Sequence, residues 1–149
     1  MNANLILLLN CISTWAMVGL IWLIQVVHYP LFAKVGEQQF DEYSKDHQRL
    51  ITFVVLPIMF VELATAFLLW SFRPNGIPDM LVVTGIALVV LIWGSTFLIQ
   101  VPQHGKLLNG YDLRVCQQLV LGNWIRTIAW SVRGLISAWM VWIVMNHDR

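Results

Sequence analysis

The sequence predicts an all-α protein, an integral membrane four-helix up-down bundle with short helical extensions at one face. Three observations carry that prediction. Of the 149 residues 58% are hydrophobic and only 11% charged, with a mean hydropathy of +0.70, whereas a soluble domain carries about 25% charged residues. So much apolar surface cannot be hidden inside a globule of this size. Four apolar segments each reach the roughly 20 residues needed to cross a hydrocarbon core of about 30 Å, and backbone groups in lipid must be satisfied within the segment, which makes them helices. The links between them are short, which sets neighbouring helices antiparallel.

The first helix is expected over about residues 5–28. No Lys or Arg precedes its apolar stretch and no small-residue cleavage site follows it, so it reads as a retained membrane helix rather than a secretory signal. The second is expected over about 47–72. Phe40, Tyr43 and His47 recur at helical spacing ahead of it, which predicts a helical lead into the apolar part, and Pro57 predicts a kink within it. The run Arg73-Pro74-Asn75-Gly76-Ile77-Pro78 is a tight turn. A third helix follows over about 80–101 and a fourth over about 113–145. Asp112 is placed to cap the fourth, with Leu113, Cys116 and Val120 forming an amphipathic lead, and Gly134 with Ala138 is a small-xxx-small spacing suited to close helix approach. The chain reads as one domain, 1–149, without internal repeat or low-complexity tract.

The net charge is +1 and no basic stripe is present, which argues against nucleic acid as a partner and leaves the lipid bilayer. The two longer links lie on one membrane face with Lys34, Lys45, Arg49, Lys106 and Arg114; the termini and the Pro-Asn-Gly turn lie on the other with Arg73 and Arg149. The positive-inside rule then places the face with the longer links in the cytoplasm and the termini outside. Cys11 and Cys116 fall near opposite faces, too far apart for a disulfide, and are expected as free thiols.

The same topology gathers the residues that carry chemistry. Gln25 and His28 end the first helix, His47 begins the second, Gln100 and His104 end the third, and Asn123 and Arg126 begin the fourth. Three of the four histidines therefore meet at one end of the bundle; His147, on the opposite side, is set apart. Neutral imidazole is a common ligand for transition metals and for haem iron, and bundle interiors are where facing helices build such sites. His28, His47 and His104 are thus candidate metal or haem ligands, and with Arg126 candidate catalytic groups; Gln25, Gln100, Asn123 and Trp130 are candidate cofactor- or ligand-binding residues. Trp22, Trp93 and Trp130 are candidates to line a slot for a flat aromatic ligand.

Deeper in the bundle, Glu62 is the one acidic residue within an apolar segment, and Arg133 lies well inside the fourth. Counted from the histidine face at about 1.5 Å per residue they reach similar depth, and buried charges there face inward and pair. A Glu62–Arg133 ion pair is expected. Arg126 then remains as an excess positive charge, which an anionic ligand would balance.

Along VPQHGKL at the end of the third helix and NWIRTIAWSVRG on the fourth, the chain resembles a family of small four-helix membrane proteins that includes the anthrone oxygenases. In that family the third helix ends in Pro-x-Asn-x-x-Leu, matched here by Pro102, His104 and Leu107 with His in place of Asn, and the fourth carries a polar residue three before an Arg, matched by Asn123 and Arg126. The resemblance implies oxidation of an aromatic or quinone-like substrate; His28 and His47 have no counterpart in its pattern. Three function classes follow from the residues: a haem- or metal-binding redox protein, a cofactor-poor oxygenase or isomerase acting on a lipophilic aromatic or quinone-like molecule, and a non-enzymatic subunit docked to a membrane partner or to further copies of itself. Whether the protein is an enzyme is left open between them.

Overall fold

The computed structural model describes residues 2–147; Arg149, counted above toward the charge of one face, lies outside them. Among these residues every regular element is helical. Four helices, Ala3–Phe32, Glu37–Ser71, Asp79–Leu107 and Leu113–His147, are each long and apolar enough to cross a membrane. The first packs on the second and fourth, and the third packs on the second and fourth, closing a four-membered ring of antiparallel neighbours.

The helices outrun the apolar segments at one end. The second starts at Glu37 rather than near 47, and the third continues to Leu107 rather than stopping near 101. Hydropathy marks where a helix is greasy, not where its hydrogen bonding ends, and the polar residues of both extensions are adequate helix formers. Phe32, Phe40, Leu107, Cys116 and Leu119 pack together as an apolar cap over the extensions, and Tyr111 donates from its hydroxyl to the Ala33 carbonyl at 3.1 Å, tying the first link to the third. Asp112 caps the fourth helix, its Oδ1 accepting from the Arg114 and Val115 amides at 2.8 and 3.2 Å. At the opposite end Arg73 pairs with Asp79 across the turn.

Two π turns interrupt the first and third helices, at Ile24–His28 and Thr96–Gln100. Each lies just ahead of a proline, Pro30 and Pro102, whose ring lacks an N–H and crowds the carbonyl four residues back. Widening the turn relieves that crowding without ending the helix, and such bulges gather at functional sites. The tetrapeptide Leu-Ile-Gln-Val occupies both 23–26 and 98–101, a short repeat that a search at domain scale passes over; it sets one buried glutamine, Gln25 or Gln100, in each π turn. The second helix, by contrast, stays α-helical through Pro57.

Polarity is inverted relative to a soluble bundle. Phe53, Leu98 and Leu121 are 76%, 80% and 70% exposed, while Glu62, Asn123 and Thr127 are fully buried. Both cysteines are free thiols. Where the third and fourth helices cross, a Cβ on Gly122 would come within 2.8 Å of the Ile99 methyl and 3.2 Å of the Gln100 amide nitrogen, whereas one on Gly94 would meet nothing within 4 Å. Gly122→Ala is therefore expected to cost about 1–3 kcal/mol through overpacking, and Gly94→Ala to be neutral or better. Thermal unfolding of the two variants in the same detergent checks this; equal midpoints would show that the crossing is looser than described.

Candidate functional site

The polar interior is built in three layers. The deepest centres on Glu62, 0% exposed. Arg133 Nε donates to its Oε1 at 2.7 Å, the Thr14 hydroxyl donates to the same oxygen at 2.9 Å, and Trp130 Nε1 donates to Oε2 at 3.0 Å. Arg133 Nη1 also donates to the Gly85 carbonyl at 2.6 Å. A Cβ at Gly85 would stand 3.2 Å from that same nitrogen, so the glycine lets the guanidinium reach the backbone. Asn10 Nδ2 donates to Thr65 Oγ1 at 2.9 Å and joins the first helix to the second at this level.

One layer higher, Arg126 donates from Nε to Asn123 Oδ1 at 3.0 Å and from Nη2 to the Tyr29 hydroxyl at 3.3 Å. Asn123 in turn donates to Gln25 Oε1 at 2.8 Å, and Gln25 donates to the Val120 carbonyl at 3.2 Å. Gln25 thus holds Asn123, which holds Arg126. The Arg126 guanidinium carbon stands 6.0 Å from the Trp130 ring centroid, at the outer edge of cation–π range.

The histidines form the top layer. His28 Nε2 and His47 Nδ1 share a hydrogen bond of 2.8 Å, and His104 Nε2 lies 3.0 Å from the Tyr29 hydroxyl. The His47 and His104 ring centroids are 5.4 Å apart. Gln48 donates to the His104 carbonyl at 3.0 Å and anchors the end of the third helix to the second. Among the described residues no three His, Cys, Asp or Glu side chains converge as a metal-binding group; the rings lie side by side. Arginine only donates, so the Tyr29 oxygen accepts from Arg126; when the Tyr29 proton lies in the bond to His104 Nε2, neutral His104 carries its own proton on Nδ1.

A cavity of about 260 Å³ opens beneath the histidines. Tyr29, Trp93, Gln100, His104, Arg126 and Trp130 line its inner wall, and the exposed Leu56, Phe97 and Val101 bring it to the outer surface between the second and third helices. Three lining side chains carry buried atoms with no protein partner: Trp93 Nε1, both amide atoms of Gln100, and His104 Nδ1. Each such atom costs about 1–3 kcal/mol unless something else satisfies it.

Of the residues singled out from sequence, Gln100, His104, Arg126 and Trp130 line this cavity, while Gln25 and Asn123 stand behind Arg126. His28 and His47 lie beside it, joined to each other. Trp22 is not part of any slot: it faces outward, 43% exposed, donating to Ser131 Oγ at 3.0 Å and packed edge-on against Trp124. Tyr29 sits at a helix end, where an aromatic ring is ordinarily placed in an interfacial belt. It is 4% exposed and bridges Arg126 to His104. Its place four residues after Gln25 on one helix side was the available signal, as was the Asn10/Thr14 pair at the same spacing for the shell of Glu62. No family model, curated protein or solved structure matches the chain.

Proposed function

We propose that the protein is an integral membrane protein, its histidine-bearing face in the cytoplasm, that binds a lipophilic aromatic or quinone-like molecule in the cavity beneath His104. The observation that carries this reading is the pairing of a laterally open, mostly apolar cavity with unsatisfied hydrogen-bonding atoms on the side chains that line it. A ring entering between the second and third helices meets apolar side chains along its faces and side chains that carry donors at its far edge: the Gln100 amide, the Trp93 indole and the Arg126 guanidinium. Carbonyl oxygens on such a ring answer those donors. At about 260 Å³ the cavity lies just below the roughly 300–1,000 Å³ of drug-sized sites, which suits one or two fused rings with any chain left among the lipids. The inverted polarity of the bundle supports residence in a bilayer, and the excess of Lys and Arg on the links at the histidine end supports the orientation. The resemblance along Pro102–Leu107 and Asn123–Arg126 points to the same ligand class.

Titration of detergent-purified protein with 1,4-naphthoquinone, followed by tryptophan quenching, is expected to show saturable binding, lowered at least tenfold by Val55→Trp, which fills the cavity from the second helix. Unsaturable quenching, equal in the variant, would refute the reading.

A second reading is favoured by one specific observation. His47 Nε2 and His104 Nδ1 are buried, on neighbouring rings, and without partner. With His104 protonated on Nε2 instead, both are free to ligate a transition metal or a haem iron. An absorption spectrum and metal analysis of the purified protein decide it: stoichiometric metal lost in both His47→Ala and His104→Ala supports this alternative.

A further inference from the structure

Arg126 is the charge that the rest of the interior leaves over. It is 6% exposed, and its partners, Asn123, Tyr29 and Thr96, are all neutral. Glu62 is taken by Arg133, Thr14 and Trp130, with Trp130 lying between it and Arg126. A lone buried cation on a cavity wall is costly without a counter-charge, and the vacant space beside it is where an anion fits.

The groups above Arg126 form a proton path with one gap. Tyr29 Oη and His104 Nε2 are hydrogen-bonded at 3.0 Å, and with the Tyr29 proton in that bond His104 carries its own on Nδ1. At the other side His28 and His47 are already hydrogen-bonded; with that proton on His47 Nδ1, His47 Nε2 is an acceptor. The two unpartnered nitrogens, a donor on His104 and an acceptor on His47, are therefore complementary. The His28 and His47 centroids are 4.5 Å apart and those of His47 and His104 are 5.4 Å apart, so the three rings are successive neighbours. His28 is half-buried and lines a shallow outer groove with Tyr43, Asp46 and His47. Asp46 is exposed and paired with Arg49 at 3.1 Å. The rings packed against the three imidazoles are Tyr29, Phe32 and Tyr43, with no carboxylate among them.

Resting on the ligand reading above, we propose that the cavity takes a weakly acidic lipophile, a phenol or enol, as its anion, and that the proton it loses leaves through Tyr29, His104, His47 and His28. The ligand O–H bond breaks and its electron pair stays on the ligand oxygen against Arg126. Its proton goes to the Tyr29 oxygen as Tyr29 passes its own to His104 Nε2; His104 Nδ1–H passes to His47 Nε2, His47 Nδ1–H to His28 Nε2, and His28 releases its Nδ1 proton to the solvent at the histidine face. Nothing is oxidised or reduced; Tyr29 and the three imidazoles end neutral as they began, each imidazole with its proton on the other ring nitrogen, and Arg126 stays cationic, now paired with the ligand anion.

The test uses 4-nitrophenol, whose anion has its own absorption band, and its methyl ether, which cannot ionise. In weak buffer with a pH-indicator dye, at a pH where the free phenol is mostly protonated, wild-type protein is expected to bind the phenolate, release one proton per ligand, and bind the ether at least tenfold more weakly. Arg126→Lys keeps that preference and Arg126→Met loses it. In stopped flow, Tyr29→Phe and His28→Phe slow proton release at least tenfold. A phenol bound in its neutral form, an ether bound equally well, or unchanged release in both path variants would overturn the proposal. Binding of naphthoquinone without binding of the phenol overturns it while leaving the ligand reading standing; failure of both to bind removes both.

Discussion

Arg133→Met is expected to destabilise the protein by about 3–5 kcal/mol, the cost of leaving a buried partner charge uncompensated. Glu62 would keep only the neutral donors Thr14 and Trp130 at its two oxygens, and neither can offset a full negative charge in an interior where it is 0% exposed. For a chain of this length the loss corresponds to a fall on the order of 10 °C in unfolding midpoint. Glu62→Gln alone leaves the opposite defect, a guanidinium facing an amide. Combining Glu62→Gln with Arg133→Met is expected to recover most of the loss, since an uncharged pair of similar shape escapes the desolvation penalty. Midpoints of the two single variants, the double variant and wild type in one detergent form the cycle that measures it. A single variant melting with wild type would show that the pair contributes nothing to the fold.

Much of the architecture was legible because four apolar segments, each long enough to cross a membrane, leave little choice but helices. Apolar length defines a crossing, and an acidic residue such as Glu62 inside one must find a partner, which depth alone narrowed to Arg133. The helix ends were less legible, because Glu37–Asp46 and Pro102–Leu107 are polar or carry a proline and so look like links. They continue as helix since their hydrogen bonding does not depend on hydropathy, and the π turns absorb the prolines. Those turns also change which side chains face inward: an α-helical wheel carried through residues 24–28 or 96–100 loses register there. Gln25 and Gln100, equivalent in sequence context and each within a π turn, differ in role through the partners the neighbouring helices bring. Gln25 is locked to Asn123 and Val120, while Gln100 faces the cavity wall with its amide unpaired. The histidine cluster was legible as a gathering at one end, but its internal pairing depends on ring nitrogens, which no spacing encodes.

Gln100→Leu is expected to raise the stability of the ligand-free protein while lowering its affinity for ligand, and the opposite signs make it the most diagnostic substitution at the cavity. Gln100 is 1% exposed and both its amide atoms lack partners. At about 1–3 kcal/mol per unsatisfied buried polar atom, replacing it with an apolar side chain of similar volume removes a penalty of about 2–6 kcal/mol, less whatever water relieves in the native cavity. A purely structural glutamine, locked as Gln25 is, would behave in reverse: Gln25→Leu strips Asn123 of its acceptor and is expected to destabilise. A binding glutamine is kept despite its cost because the ligand satisfies it, the usual exchange of stability for function at a site. Measured side by side, Gln100→Leu should melt above wild type and bind 1,4-naphthoquinone at least tenfold more weakly. Gln25→Leu should melt below wild type. If Gln100→Leu loses stability and leaves quinone affinity intact, the amide is part of the scaffold, and the ligand's polar contacts must then come from Arg126, Tyr29 and Trp93 alone.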